Sequence, residues 1–268
     1  SSTANDISAA AFAHVAALPE LDYADALAGL RARIRAAYRL PEDVAIVFAP
    51  SGTDLEYVAL AAIADRRAHV HNILLGADEV GSGCVHSAHG RYFAAETALG
   101  ITVAPGAPVA GLAERVSLTD VPVRDALGHA FASEVIRDAI ATAIEQTPDA
   151  HALVHIVHGS KTGLILPLAD DLDHLRACHG ERMTLVVDAC QARITSPAIA
   201  DYLARDAIVF VTGSKFMGGP PFSGFALIPA ALAARAPALP SGFATIFRRA
   251  EWPAGWPGAE RLPGDANP

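Results

Sequence analysis

The chain has 268 residues, of which 52% are hydrophobic and 18% charged, and its mean hydropathy is +0.30. This composition excludes a disordered chain and suffices to bury a substantial core. The net charge of −9, without any basic run, argues against a nucleic-acid partner. Because no apolar run approaches the ~20 residues of a membrane span, we expect a soluble globular protein without a membrane partner.

Hydrophobic periodicity predicts alternating helices and strands along the chain. The predicted helices span residues 21–38, 54–64, 133–146 and 170–178. The predicted strands span residues 44–48, 72–75, 153–157, 184–187, 208–211 and 224–228. This alternation is typical of an α/β protein with three αβα layers and a mostly parallel central sheet.

We interpret the chain as three regions. Residues 1–43 form an N-terminal helical segment, and residues 44–235 form the large domain that holds the sheet. The tail from Arg248 is dense in proline and glycine and shows no periodicity. We therefore interpret residues 236–268 as a linker toward a further C-terminal domain.

The cysteines and the N-terminus predict a cytoplasmic protein. Cys84, Cys178 and Cys190 are odd in number and lack C-x-x-C spacing, so we expect reduced thiols and no metal site. The N-terminal residues have neither the basic segment nor the apolar core of a signal peptide.

The loop after the first predicted strand is a candidate anion site. Ser51, Gly52 and Thr53 lead straight into a predicted helix. Small and hydroxyl-bearing residues at a helix N-terminus leave backbone N–H groups free to bind a phosphate. The alternative interpretation is an N-cap role for Ser51 or Thr53.

Three further strand ends carry polar or ionisable residues. Asp188 follows residues 184–187, Lys215 follows residues 208–211, and the loop with Ser160 and Lys161 follows residues 153–157. The two lysines are the only ones among 20 basic residues. A lysine amine can lose its proton and attack a carbonyl, whereas a guanidinium cannot. An Asp–Lys ion pair is the alternative, but it leaves the neighbouring hydroxyl and glycine residues unexplained.

Taken in order, these motifs resemble fold-type-I pyridoxal-phosphate (PLP) enzymes, especially the class V aminotransferases and cysteine desulfurases. The resemblance extends over about residues 45–229 and rests on four motifs: Ser51-Gly52-Thr53, Ser160-Lys161-Thr162-Gly163, Asp188 to Gln191, and Thr212 to Lys215.

The resemblance implies PLP as cofactor and two catalytic residues. Lys215 would form the internal aldimine with the cofactor aldehyde, and Asp188 would keep the pyridine nitrogen protonated. Gln191 would donate a hydrogen bond to the phenolic oxygen of the ring. His86 would stack on the ring face, with His89 as the alternative.

The remaining cofactor contacts implied by the resemblance lie in the polar loops. Gly52, Thr53 and Thr212 would hold the phosphate, with Ser51 beside them, and Ser160 would contact the cofactor from its own loop. The resemblance also implies a homodimer and a small-molecule amino-group substrate.

The chain departs from the class V pattern at several positions. Ser214 stands where histidine is usual, and Ser160 and Lys161 stand where asparagine and glutamate are usual. Lys161 could bind a substrate carboxylate or a second phosphate-like group, or form the Schiff base itself. Related enzymes take the arginine that holds the substrate carboxylate from a C-terminal domain. In this chain three arginines are candidates for that role, and the sequence does not rank them: Arg91, Arg193 and Arg248.

We therefore predict an enzyme that acts on an amino-acid or amine substrate, with transamination as the leading reaction. A PLP-dependent lyase or desulfurase and a non-catalytic PLP-binding relative remain the alternatives. A plain phosphate-binding α/β domain is a third interpretation, and it leaves both lysines unexplained.

Overall fold

The computed structural model describes residues 23–63, 69–220 and 223–264. Within these residues eight strands form one sheet. In chain order, β1 to β8 are Ala45–Ala49, Val70–Leu75, Val116–Val121, His151–His158, Ile165–Leu166, Met183–Asp188, Ile208–Thr212 and Gly224–Ile228. Seven of them follow the order β1-β8-β7-β6-β4-β2-β3, and β5 pairs with β4.

The sheet is mixed but mostly parallel. β8 runs antiparallel to both β1 and β7, and β5 runs antiparallel to β4. The pairs β2–β3, β2–β4, β4–β6 and β6–β7 are parallel. The carboxyl ends of β4, β6 and β7 therefore meet at one edge of the sheet, where ligands bind in open parallel sheets.

Seven α-helices connect and cover the strands among the described residues. In chain order, α1 to α7 are Tyr23–Tyr38, Gly52–Ile63, Cys84–Ser87, Ser133–Glu145, Ala169–His179, Ser196–Ala204 and Ala230–Ala233. In α4, Ile136, Ile140 and Ile144 are buried at every fourth position, which is the spacing that places them on one face.

Two apolar clusters fill the two faces of the sheet. One face packs against α1, α4, α5 and α6, through side chains such as Leu27 and Ile199. The other face packs against α2, α7 and the tail, through side chains such as Leu55 and Leu232. The predicted three-layer αβα architecture is confirmed.

Every predicted element is present, and its ends lie within two residues of the prediction wherever the structure describes them. The prediction lacked β3, β5, α6 and the two four-residue helices α3 and α7. β3 is an edge strand of mixed burial, β5 has two residues, and α6 buries Ile199 alone, so each has a weak hydrophobic pattern.

The tail packs onto the sheet, although it was predicted to be a loop or linker without periodicity. Its described part forms short 3-10 turns rather than α-helix. Phe243, Phe247, Trp252 and Trp256 are almost fully buried, and successive ring centroids in this group lie 5.1–5.9 Å apart. This aromatic group covers α2. Residues 236–264 thus contribute to the core of the large domain.

Residues 1–22 of the predicted N-terminal segment lie outside the described residues, as do residues 265–268. None of the helices in the described part of the chain combines the length and apolar character needed to cross a bilayer.

Candidate functional site

Gly52 brings three strand-end loops into contact. A Cβ atom built on Gly52 would lie 2.8 Å from Sγ of Cys190 and 3.4 Å from Cγ2 of Thr212. The hydroxyl of Thr212 donates to the carbonyl oxygen of Cys190 over 2.6 Å. The loops after β1, β6 and β7 therefore touch at one point. We call Gly52, Asp188, Cys190 and Thr212 the strand-end cluster.

The N-terminus of α2 has free backbone donors. Ser51 Oγ accepts a hydrogen bond from the Asp54 amide over 3.2 Å, so Ser51 caps the helix, as the alternative interpretation predicted. The amides of Gly52 and Thr53 have no acceptor among the described residues. Two free N–H groups at the positive end of a twelve-residue helix are suited to bind an anion.

Asp54, in the first turn of α2, belongs to this region. Its carboxyl group accepts the Ser51 hydroxyl over 2.5 Å and is almost fully buried. Burial raises the pKa of Asp54 to about 6, although the two hydrogen bonds with Ser51 act against burial. The carboxyl group therefore stays protonated in mildly acidic solution.

Asp188 ends β6 with a partly buried carboxylate. Its Oδ1 accepts the amide of Cys190 over 2.8 Å, which fixes the carboxylate over the turn that follows the strand. Burial raises the pKa of Asp188, whereas the hydrogen bonds with Cys190 and the charge of Lys161 lower it. A partly buried carboxylate at a sheet edge is suited to bind a positively charged N–H group.

Lys215 lines a cavity of about 580 Å³ at the same end of the molecule. Its side chain is exposed and makes no hydrogen bond or ion pair with any described residue. The cavity wall also includes Ser51, Asp54, Tyr57, Tyr92 and Phe93. A lysine amine without a partner among the described residues thus shares a cavity with Ser51, the residue that caps α2.

The loop of Ser160 is held by Glu79, a residue that the sequence analysis missed. Ser160 Oγ donates to Glu79 over 2.6 Å, the Thr162 amide over 3.1 Å and Arg124 Nε over 3.0 Å. Burial acts to raise the pKa of Glu79, but these hydrogen bonds outweigh it and the pKa lies below its ordinary value. Glu79 therefore remains charged and fixes residues 159–163 beyond β4.

Lys161 projects from this loop. Its ammonium donates to the carbonyl oxygen of Asp78 over 3.2 Å. Because Lys161 already has an acceptor and lies outside the cavity that Lys215 lines, the two lysines occupy different environments. The positive charge of Lys161 also acts to lower the pKa of Asp188.

Glu56 and His155 form a buried pair next to the strand-end cluster. Oε2 of Glu56 lies 3.2 Å from Nε2 of His155, and both side chains are almost fully buried. Burial, and secondly the carboxylate of Asp188, raise the pKa of Glu56, while burial lowers the pKa of His155. Burial thus favours the neutral form of both side chains. The sequence signal that could have revealed this pair is Glu56 itself, a glutamate among the apolar residues of α2.

The other predicted cofactor contacts lie around these residues. Thr53 Oγ1 lies 3.8 Å from Sγ of Cys84, which places α3 against the N-terminus of α2. His86 is exposed on α3 and His89 is partly buried just beyond it, so the choice of a stacking histidine stays a prediction. Gln191 is partly exposed in the turn after β6.

The strand-end residues suit a phosphorylated aromatic aldehyde. Cys190 and Thr212 leave no room for a side chain at position 52, so glycine is required there. The free amides at the start of α2 are suited to bind a phosphate. Asp188 supplies a carboxylate, Lys215 supplies an amine, and aromatic side chains wall the cavity between solvent and core. These groups match the donors, counter-charge and nucleophile that PLP requires.

Comparison with solved structures shows the same fold in known aminotransferases. Ureidoglycine-glyoxylate aminotransferase from Bacillus subtilis is 15% identical, with a TM-score of 0.53 over 82% of this chain and 49% of its own. Pyridoxamine-pyruvate aminotransferase from Mesorhizobium loti is 17% identical, with a TM-score of 0.50 over 94% of this chain and 55% of its own.

A third similar structure comes from Erwinia carotovora atroseptica and is assigned as a histidinol-phosphate aminotransferase. It is 18% identical, with a TM-score of 0.52 over 87% of this chain and 59% of its own. The chain thus spans between about half and three fifths of these relatives. No protein-family model and no curated protein matches it. At these identities the similarity shows the fold of the PLP-dependent transferases, and the class V affiliation stays a prediction.

Proposed function

We propose that this chain binds PLP and transfers the amino group of an amino-acid or amine substrate, with Lys215 as the residue that attaches to the cofactor aldehyde. The observation that supports this most strongly is the contact of Gly52 with Cys190 and Thr212. This contact brings three groups together at one edge of the sheet: the free amides of α2, the carboxylate of Asp188 and the loop that leads to Lys215. PLP, when bound, supplies an electron sink for a carbanion at the substrate α-carbon.

The α2 N-terminus holds the phosphate in this proposal. The amides of Gly52 and Thr53 donate to phosphate oxygens, and the helix dipole favours the negative charge. Asp54 is kept neutral by burial in mildly acidic solution, so it adds no repelling charge there. Thr212 contributes by its backbone position, because its hydroxyl already donates to Cys190.

Asp188 and Lys215 perform the proton chemistry. The carboxylate of Asp188 stabilises a proton on the pyridine nitrogen, which strengthens the electron sink. With PLP bound, the amine of Lys215 would remove the proton from the substrate α-carbon and return it at the carbon of the cofactor aldehyde. Tyr57, Tyr92 and Phe93 line the same cavity as Lys215 and supply apolar surface beside its amine.

The reaction can be tested with purified protein and added PLP. We expect visible absorbance to develop on titration, and an amino acid together with a 2-oxo acid acceptor to yield a new amino acid and a new oxo acid. Products in which a carbon–carbon or carbon–sulfur bond is broken would instead support the lyase or desulfurase alternative. PLP uptake without turnover across the amino-acid panel would support the non-catalytic relative. Absence of PLP uptake would refute the proposal.

The proposal also covers assembly and location. In the family that the chain resembles, homodimers complete each other's sites, so we propose a homodimer, which sedimentation of the PLP-loaded protein tests. A cytoplasmic location remains a proposal from composition.

A further inference from the structure

A second, smaller cavity of about 150 Å³ lies at the amino end of β6, opposite to the strand-end cluster. Its wall includes residues 183–185, which begin β6, whereas Asp188 ends the same strand. Six strand residues rise by roughly 17 Å, so this cavity is remote from the candidate cofactor site. We call it the arginine pocket, because Arg176, Arg205 and Arg235 also line it.

Three separate helices bring these arginines together. Arg176 lies in the last turn of α5, Arg205 is the residue that follows α6, and Arg235 lies two residues beyond α7. A cation near a helix C-terminus stabilises the helix dipole, which gives Arg176 and Arg205 a role without any ligand. The helix α7 has four residues, so its dipole does not explain Arg235.

Carboxylates do not balance the three guanidinium groups. Asp173 accepts Nε and Nη2 of Arg205 over 2.8 and 2.9 Å, which neutralises that arginine. Asp206 lies 3.8 Å from Nη2 of Arg176, which is too far for a hydrogen bond. In the described part of the chain, Arg235 has no carboxylate within ion-pair distance. Three arginines thus meet two aspartates, which leaves one positive charge in excess on a chain of net charge −9.

The pocket also has free hydrogen-bond donors. Among the described residues, the guanidinium of Arg176 makes no hydrogen bond, and Arg235 donates from Nε alone, to the carbonyl oxygen of Ala231 over 2.9 Å. A Cβ atom built on Gly180, in the pocket wall, would meet no atom within 4 Å, so the space beside it is open. Guanidinium N–H groups with open access bind phosphate oxygens in pairs.

We propose that the arginine pocket binds a phosphate group, held by the guanidinium groups of Arg176 and Arg235. Its volume is below the ~300–1,000 Å³ of pockets that enclose drug-sized ligands. The pocket therefore holds one small oxyanion group and leaves the rest of a larger ligand in solvent. The phosphate comes from inorganic phosphate or from a small phosphomonoester. The inference is independent of the proposed PLP function, because the pocket shares no residue with that site.

Isothermal titration calorimetry with sodium phosphate tests this proposal at low ionic strength, where screening is weak. Sodium chloride at equal ionic strength is the blank, and glycerol 3-phosphate is the second probe. The variants are Arg176→Gln, Arg235→Gln and Asp206→Asn, with the exposed Arg33→Gln on α1 as the matched control. The free amides of α2 are suited to bind phosphate as well, so the variants locate the site.

We expect Arg176→Gln and Arg235→Gln each to weaken phosphate binding about tenfold or more, as for the loss of a charged hydrogen bond. Asp206→Asn should tighten binding about three- to fivefold, because it removes the carboxylate beside the phosphate. The φ of Asp206 is +56°, which asparagine tolerates, so the backbone is preserved. Arg33→Gln should bind phosphate as wild type does.

The second probe distinguishes the two sources of phosphate. Tighter binding of glycerol 3-phosphate than of inorganic phosphate would identify a phosphomonoester as the ligand. Equal or weaker binding of glycerol 3-phosphate would identify inorganic phosphate. Both results require the same loss in Arg235→Gln.

Four results would overturn the proposal. They are no phosphate binding by the wild-type chain, unchanged affinity in either Arg176→Gln or Arg235→Gln, an equal loss in Arg33→Gln, and weaker binding in Asp206→Asn. An equal loss in Arg33→Gln would show a general effect of net charge. The gain expected in Asp206→Asn is a result that a misfolded protein cannot give, so the test does not depend on losses alone.

Discussion

The strand-end cluster and the loop that carries Lys215 differ in how the structure holds them. In the cluster, Thr212 and Asp188 are tied to Cys190 by hydrogen bonds of 2.6 and 2.8 Å, and Gly52 packs against both Cys190 and Thr212. Residues 213–220 are held by backbone hydrogen bonds, whereas the side chains from Ser214 to Met217 are exposed.

Within one site, the strand-end cluster therefore supports the structure, and the loop that carries Lys215 supplies the chemistry. Residues of the cluster are packed and hydrogen-bonded, so substitutions there should change both stability and cofactor binding. Side chains of the exposed loop contribute little to packing, so substitutions there should change catalysis and leave stability unaltered. The following variants test that separation.

Lys215→Ala should have the largest effect on activity. We expect transamination to fall by about 10²–10⁴-fold, because the chain loses its nucleophile and its proton carrier together. Its unfolding free energy should stay within about 0.5 kcal/mol of wild type, since the side chain is exposed. Paired rate and denaturation measurements check this. Lys161→Ala is the matched control, and an equal loss of rate in it would contradict the assignment of Lys215.

Glu79→Gln should have the largest effect on stability. The substitution removes the charge that receives hydrogen bonds from Ser160, Thr162 and Arg124, and its amide group would face those donors. We expect a loss of about 3 kcal/mol in denaturant unfolding. The exposed neighbour Asp78→Asn should leave stability unchanged. A wild-type unfolding midpoint for Glu79→Gln would show that the loop after β4 is not held by this carboxylate.

Asp54→Asn should remove a pH dependence from the stability of the chain. The folded state holds the Asp54 proton up to about pH 6, whereas the unfolded state releases it near pH 3.8. The folded state binds more protons in that window, so wild-type stability should fall as pH rises through it, by roughly 2–3 kcal/mol. Asp54→Asn should lose this contribution, so its stability should fall less with pH than that of wild type, whereas the exposed Asp43→Asn should match wild type. Identical pH profiles for all three proteins would contradict the buried state of Asp54.

Gly52→Ala should weaken the cluster moderately. The new Cβ would lie 2.8 Å from Sγ of Cys190, so the Cys190 side chain or the loop after β1 must shift. We expect a loss of about 2 kcal/mol in stability and at least a roughly tenfold weaker affinity for PLP. Gly29→Ala, with open space around its new Cβ on α1, should instead gain about 0.5–1 kcal/mol. Unchanged PLP affinity in Gly52→Ala would show that these loops do not form the phosphate site.

Local patterns in the sequence predicted the sheet, its covering helices and the strand ends that carry polar residues. Buried strands of this kind have continuous apolar runs, and their polar ends stand out, as Asp188 does after Met183–Val187. The edge strand β3 lacks this pattern, because only two of its six residues are buried.

The supporting contacts could not be predicted, because their partners are distant in sequence. Glu79 and Ser160 are 81 residues apart, and nothing near Glu79 marks it as the acceptor for that loop. The contact of Arg193 with Phe216 depends on how two loops approach each other across β6 and β7. Burial of Trp252 and Trp256 likewise depends on the tail folding back over α2, which a proline- and glycine-rich composition does not reveal.

Borohydride reduction of the PLP-loaded chain, followed by peptide mapping, tests the central assignment most directly. The reduction fixes the cofactor covalently to the amine that holds it. We predict a single labelled peptide that carries the cofactor on Lys215, with none on Lys161. A label on Lys161, or no covalent label on a chain that has taken up PLP, would contradict the account of the site.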